Sequence, residues 1–598
     1  MPSKTQINEN MTVREVCTRW PHARKVFEKY GLTECGGPQG PAEPIGFFAK
    51  VHHVDVNTLL KELNEVALRE PSPVYQSYST TDESFRYEKF LRAAIIVALT
   101  VGCLLGAFLI FWIGLASTFE LGAEILIQTH GHLQLFGWVG LFIMGVAYFV
   151  IPKFKNVRLP HPGLAETSFW LMLLGLLFRA VSQPNALNVL NASLLLASSL
   201  LELVAAVIFF FIMSRVLVKR DSPERFERFV LASAFWFVVA LVLNLAATLQ
   251  AFGLNTFEFQ EPVEGVLVHV ALMGFTTLMI FGVMKRTLTL FMGLQDPEER
   301  AVNISFYALN LALVLAVVSM FLHNPWLGFV IAVVELVGVL AFVYGIRVFA
   351  RRAVELKDIT DTSYEKFVRV GVFWLIVAAT MLVILTSYEL ATSVKPPHAF
   401  FGAYRHALTV GFVSMVIFGY AVRIVPVFKG TSIYSKTLTE ATFWLVNVGN
   451  AMRVGAEVLV GFYGGIFYFV MGISGFLELA GLGAFAVNIW KTLDAKPKLI
   501  PPVRMHPHKA TVSKSKNSHV PRLVVEQIDA DTIVLDVINS YPQALEFFVN
   551  KGFTPLKNLA LREVLAAKTT IGQACRTRNL DPDKFINELK QYLKEGLS

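Results

Sequence analysis

His132-LQLF-Gly137-WVGLFIM-Gly145 recurs as His269-VALM-Gly274-FTTLMIF-Gly282 and again as His406-ALTV-Gly411-FVSMVIF-Gly419. The shared pattern is H-x4-G-x7-G, and both His-to-His intervals are 137 residues. Self-similarity at a fixed period marks an internal repeat. Each copy is preceded by a related signal: Tyr87-Glu-Lys-Phe90, Phe226-Glu-Arg-Phe229 and Tyr364-Glu-Lys-Phe367. Each unit closes with Glu-Leu, at Glu202, Glu335 and Glu478, and two units share Phe-Trp-x8-Arg, ending at Arg179 and Arg453.

The repeats lie in a strongly apolar stretch. The 598-residue chain is 54% hydrophobic and only 16% charged, with 49 Phe and mean hydropathy +0.53. Soluble chains carry about 25% charged residues, so this one needs lipid around it. The same composition excludes disorder, collagen, coiled coil and a disulfide-rich scaffold. Four scattered cysteines with no C-x-x-C pair encode neither a disulfide framework nor a zinc ribbon.

Twelve apolar segments are long enough to cross ~30 Å of hydrocarbon at about 20 residues each. They cover 90–116, 129–153, 164–186, 188–216, 228–251, 263–292, 301–322, 326–350, 367–390, 397–427, 437–460 and 462–490. Their uniform apolarity suits helices, which satisfy every backbone group in lipid, and not barrel strands. The expected fold is an all-α polytopic membrane protein of three four-helix repeats, 87–220, 225–357 and 364–491, within a membrane domain 87–491. Linkers at 69–86 and 492–522 connect it to small helical domains at 1–68 and 523–598.

Basic residues set the orientation. Lys153, Lys155 and Arg158 follow the second segment, Lys219, Arg220, Arg225 and Arg228 the fourth, and Lys285, Arg286 and Arg300 the sixth. The opposite loops 117–128 and 252–263 hold no Lys or Arg. By the positive-inside rule both termini are cytoplasmic, and the expected location is a cell's inner (cytoplasmic) membrane. No secretory signal peptide opens the chain. The net charge of +8 thus reads as topology, and no nucleic-acid partner is expected. Every repeat holds an even number of segments, so His132, His269 and His406 are expected at similar depth in the outer half of the bilayer.

A histidine in lipid is costly and faces the bundle interior. Either each His hydrogen-bonds a neighbouring helix while the glycines permit close packing, or the imidazoles ligate haem or metal. His130 precedes His132 by two residues, about 200° around a helix, so both cannot serve one centre on a continuous helix. His398 opens the tenth segment on the same side. Glu202, Glu335 and Glu478 read as interhelical hydrogen-bonding groups or as a proton path.

Two motifs carry a resemblance. His130-Gly-His132-Leu-Gln-Leu-Phe-Gly137, followed by Val150-Ile-Pro152, resembles the second-helix signature of the NnrS family. Arg405-His406-Ala-Leu-Thr-Val-Gly411, with Arg423 downstream, resembles that family's signature near its C-terminal end. The sixth segment departs from it, reading Met284-Lys285-Arg286-Thr-Leu-Thr-Leu-Phe291 where the family has G-R-x-I-P-x-F. The resemblance implies a haem- and copper-containing membrane protein linked to nitric oxide stress. The architecture also resembles haem–copper oxidase subunit I, with haem ligands on helices 2 and 10. It implies His132 and His406 as haem ligands, and His269, with His130 and His398 nearby, as ligands of copper or a second non-haem metal. The chain lacks that fold's adjacent His-His pair and its His-x-His on helix 10.

The two ends match each other. Val13, Val16, Pro21, Phe27 and Gly31 align with Val534, Val537, Pro542, Phe548 and Gly552 at a constant offset of 521, and Asp55 to Leu63 with Asp581 to Leu589 at 526. Both resemble a small helical domain found at the front of di-iron proteins that repair iron–sulfur clusters, which implies iron–sulfur protein partners. Cys35, after Phe27-Glu-Lys-Tyr-Gly31, is the cysteine of that motif present here.

The leading reading is a haem protein acting on a diatomic gas such as nitric oxide. A respiratory oxidoreductase fed by a quinol or a cytochrome is the second, and a transporter is the third. Transporter repeats are typically inverted halves with broken helices, unlike these parallel units. The orientation makes a first prediction. Alkaline phosphatase fused within 117–128 is active, and the same enzyme fused after Ser598 is inactive; the reverse pattern refutes the topology.

Overall fold

The computed structural model describes residues 7–32, 40–41, 43–52, 54–68, 87–119, 123–155, 157–185, 189–218, 226–254, 256–322, 324–352, 362–496, 525–553, 556, 566, 569–577 and 580–595. Cys35 and the linkers 69–86 and 497–522 lie outside them. Among the described residues the regular elements are all helices, apart from two isolated bridges, Thr12 to Pro44 and Ile533 to Thr570. The chain forms two compact units, Met1–Arg504 and Met505–Ser598.

In the first unit α1 (Val13–Arg19), α2 (Arg24–Lys29), α3 (Ile45–Val51) and α4 (Val56–Leu68) form a small domain. Then come α5 (Glu88–Ala116), α6 (Glu124–Phe154), α7 (Pro162–Ser182), α8 (Leu190–Leu217), α9 (Phe226–Leu254), α10 (Val263–Thr289), α11 (Glu299–Leu322), α12 (Pro325–Ile346), α13 (Tyr364–Thr392) and α14 (His398–Lys429). The series ends with α15 (Lys436–Tyr463) and α16 (Ile466–Asp494). Eleven of the twelve helices α5–α16 are long and apolar enough to cross a membrane. The exception is α15. Its 28 residues reach about 42 Å at 1.5 Å per residue, but Arg453 and Glu457 interrupt its apolar run.

The His-bearing helices sit innermost. Within their apolar windows α6, α10 and α14 are 89%, 83% and 78% buried, against 28–56% for the other candidate spans. They touch one another directly: Trp138 Nε1 donates to Ser414 Oγ at 3.3 Å, and the Thr287 and Tyr420 hydroxyls lie 2.9 Å apart. Outer helices pair in sequence, α8 on α9 and α12 on α13, and α16 returns to pack on α5. Ion pairs follow the same circular order. Lys155 at the end of α6 meets Glu227 at the start of α9, and Lys429 at the end of α14 meets Glu88 at the start of α5.

The repeated glycines are packing contacts. A Cβ on Gly145, Gly282 or Gly419 would lie 2.4, 3.1 or 2.9 Å from Cβ of Phe90, Phe229 or Phe367, the phenylalanines of the motif that opens each unit. On Gly137, Gly274 or Gly411 it would strike Val97, Trp236 or Trp374. The two conserved spacings therefore encode one helix-to-helix approach, made three times.

The two end domains repeat the same local structure. Gly31 and Gly552 both adopt positive φ (98° and 94°) after helices ending in Phe27-Glu-Lys29 and Phe548-Val-Asn550. Phe27 and Phe548 are fully buried, as are Leu63 and Leu589 on the last helix of each. In the second unit these elements are α17 (Val534–Ser540), α18 (Ala544–Asn550), α19 (Ile571–Thr577) and α20 (Pro582–Glu595).

The N-terminal domain rests on the ends of α10 and α14 away from the histidines. Its α3 packs on α10, and the buried Glu43 carboxylate accepts from Arg423. Burial raises the Glu43 pKa despite Arg423 beside it. Desolvation thus outweighs the attraction, as buried pairs commonly do. The docked form favours protonated Glu43, so its docking contribution is present below the ordinary carboxylate pKa and is lost as pH rises through the raised value. At offset 526 the C-terminal copy has Thr569 in place of Glu43. We predict that Glu43→Gln keeps the domain seated and makes seating less pH-dependent, whereas Glu43→Lys releases it. Hydrogen exchange across residues 45–51 reports this, and faster exchange in Glu43→Gln than in Glu43→Lys contradicts it.

Candidate functional site

Each repeated His stands immediately before a wide π-helical turn: Leu133–Gly140, Val270–Thr277 and Ala407–Ser414. These stretches are offset by the same 137 residues as the histidines. Side-chain bonds confirm the widened winding, since Thr276 and Thr277 donate to carbonyls five residues back, Ala271 and Leu272. Such turns concentrate at functional sites because they shift the face that side chains present.

The three imidazoles have separate partners within their own helical units. His132 Nε2 lies 2.8 Å from Glu202 on α8, and both side chains are buried. His269 Nε2 lies 3.1 Å from Glu335 on α12, off the hydrogen-bond axis. In the third unit the carboxylate facing His406 belongs to Glu457 of α15, at 4.0 Å. Gly402 makes room for it, since a Cβ there would lie 2.5 Å from the Glu457 Oε1.

His130 and His406 share a different arrangement. His130 Nδ1 lies 2.9 Å from the Gly102 carbonyl, at the end of a fourth π turn (Ala98–Gly102) in α5. His406 Nδ1 lies 3.0 Å from the Gly402 carbonyl. Bonding to a carbonyl fixes the proton on Nδ1 and leaves the Nε2 lone pair outward. Neither Nε2 has a hydrogen-bond partner among the described residues. Both rings lie within electrostatic reach of Arg453.

Arg453 completes the cluster. Its Nη2 pairs with Glu457 at 3.0 Å, but Nε and Nη1 lack partners among the described residues. So do both amide atoms of Asn450 one turn earlier, and Glu478 Oε1 on α16. The equivalent Arg179 shows what a filled shell looks like: Nε donates to Gln183 at 2.6 Å, Nη1 to Asn244 at 3.3 Å, and the guanidinium stacks on Phe259 at 4.5 Å. Buried polar groups are nearly always paired. Orphaned donors beside two open imidazoles therefore mark this corner, among α5, α6, α14, α15 and α16, as built to receive something.

The residues singled out by sequence thus divide. His130 and His406 both lie toward Arg453; His132 faces Glu202, away from His130, as the 200° separation on the continuous helix requires. His269 lies in the second unit with Glu335. His398 is exposed at the start of α14, its ring 5.9 Å from Phe119. Among the described residues no three His, Cys, Asp or Glu side chains form a metal-binding group. Glu457 and Asn450 were not singled out by sequence, because Asn450 falls among the eight unspecified positions of Phe-Trp-x8-Arg and Glu457 lies beyond its end. The period of helix α15 places all three on one face.

Residues 7–60 and 528–586 match a domain of unknown function (DUF1858). This match covers both end domains and leaves the helices α5–α16 outside it. No curated protein matches the chain.

The cradle of His130 gives a prediction. A Cβ on Gly106 would lie 2.3 Å from the ring, whereas one on Gly131 meets nothing within 4 Å. Gly106→Ala is expected to destabilise the folded protein by about 1–3 kcal/mol, as overpacking does. Gly131→Ala is neutral or stabilising. Thermal unfolding in detergent compares them, and equal midpoints contradict the placement of His130.

Proposed function

We propose that the chain is a haem-binding, multi-pass inner-membrane protein of the NnrS type that binds nitric oxide. Its twelve helices would be three four-helix units with both termini cytoplasmic. The observation that carries this reading is the pair His130 and His406, each with Nδ1 held on a carbonyl and Nε2 open. The donor chemistry fits a haem. Two neutral imidazoles from α6 and α14 would hold the iron, and the orphaned Arg453 and Asn450 donors would hold the acidic haem substituents. This pairs His406 with His130 in place of His132, whose Nε2 is engaged by Glu202.

Bound haem would supply an iron at which a diatomic gas would take the place of one of the two imidazoles. The chain's own residues do the rest. Carbonyl bonds keep both imidazoles in the ligating tautomer, and burial among apolar helices keeps them neutral and excludes water. Nitric oxide needs no polar pocket, only an apolar way in. The residues do not fit a copper centre: neither His132 nor His269 has the further donors that copper requires, so no copper step is derived. His132–Glu202 and His269–Glu335 read instead as imidazole–carboxylate clasps between helices. The end domains, exposed to the cytoplasm, suit partners among iron–sulfur proteins.

The purified protein is expected to show a Soret band that shifts on adding nitric oxide. His406→Ala abolishes it and His161→Ala, in a loop, keeps it. Equal haem content in the two variants, or a well-folded preparation with no chromophore, overturns the proposal. Sustained turnover with a quinol or cytochrome would instead make the protein an oxidoreductase.

A further inference from the structure

A second feature lies on the axis of the inner helices, away from the histidines. A partly open apolar pocket of about 80 Å³ lies among α6, α10 and α14 beside the start of α5. Its walls repeat at the same 137-residue offset: Ile143, Ile280 and Ile417 form one layer, and Val146, Val283 and Tyr420 the next. The Tyr420 hydroxyl is already engaged by Thr287 at 2.9 Å. No charged side chain lines the space. Ile143 lies eleven residues beyond His132, so the cavity sits about 16 Å along the helices from the imidazole level.

We propose that this axial cavity is a binding site for a small apolar solute the size of a gas molecule. Three observations select that occupant. A void lined by aliphatic groups offers water none of the two to four polar partners it needs, and such voids stay dry. A larger apolar cavity, of about 150 Å³, admits benzene or xenon, so a pocket of about 80 Å³ has room for xenon or a diatomic molecule. Finally, the layered isoleucines come from three equivalent positions, so the space arises from how the inner helices meet and not from one misfitting side chain. The binding claim stands without haem. Its use, storing nitric oxide drawn from the bilayer at a fixed remove from the iron, rests on the proposed function.

Xenon is the probe. Crystals of the full-length protein equilibrated under xenon pressure are expected to show an anomalous peak on the axis between Ile143, Ile280 and Ile417. Ala421→Leu, which extends a wall residue into the space, removes the peak; Ala147→Leu serves the same purpose should the first variant fold poorly. Lipid-facing Val448→Leu leaves it unchanged. Absence of xenon at the axis in the wild type, or full occupancy in both filled variants, overturns the proposal. A haem-free preparation that still binds xenon would refute the proposed function alone, and a haem-loaded preparation that does not would refute this inference alone.

Discussion

An imidazole inside a bundle wrapped in lipid has no water to satisfy its ring nitrogens, and much of the inner structure answers that constraint. His132 is met by Glu202, His269 by Glu335, and His130 and His406 by backbone carbonyls. Each solution requires a helix to come close at the right height. The glycines supply the approach: Gly106 admits the ring of His130, and Gly402 admits the carboxylate of Glu457. Further along, Gly145, Gly282 and Gly419 seat the phenylalanine that opens each unit, which fixes the depth of the His-bearing helix against its neighbour. The order of contacts is circular, so a shift in one inner helix would be felt by the other two.

The units have diverged where it matters. In the first, Gln183, Asn244 and Phe259 engage the Arg179 guanidinium. In the third, glutamate replaces that glutamine, and no counterpart of Asn244 or Phe259 reaches Arg453. The result is a corner with spare hydrogen-bonding capacity beside two open imidazoles. The end domains show the same divergence on a smaller scale. Glu43 can engage Arg423, whereas Thr569 in the second copy carries no charge to do so.

Much of this was legible in the sequence. The constant 137-residue interval located the inner helices, and apolar length separated the membrane segments from the ends. The constant offsets of 521 and 526 found the duplicated end domain, down to the positive-φ glycine at Gly31 and Gly552. What the sequence did not show depends on rotation about a helix axis. The π turns after His132, His269 and His406 change which way each face points, and no residue type announces them. Glu457, which faces His406 from α15, was for that reason not among the residues the sequence singled out. The same rotation decides between His130 and His132, two residues apart on one helix but turned toward different neighbours.

The central claim is that His130 and His406 are the two residues that would hold the haem iron. Electron paramagnetic resonance of the oxidised, haem-loaded protein tests it most directly. The account predicts the low-spin ferric signal of two imidazole ligands in the wild type, retained in His132→Ala and converted to a high-spin signal in His130→Ala. A low-spin signal that survives in His130→Ala and disappears in His132→Ala would contradict it.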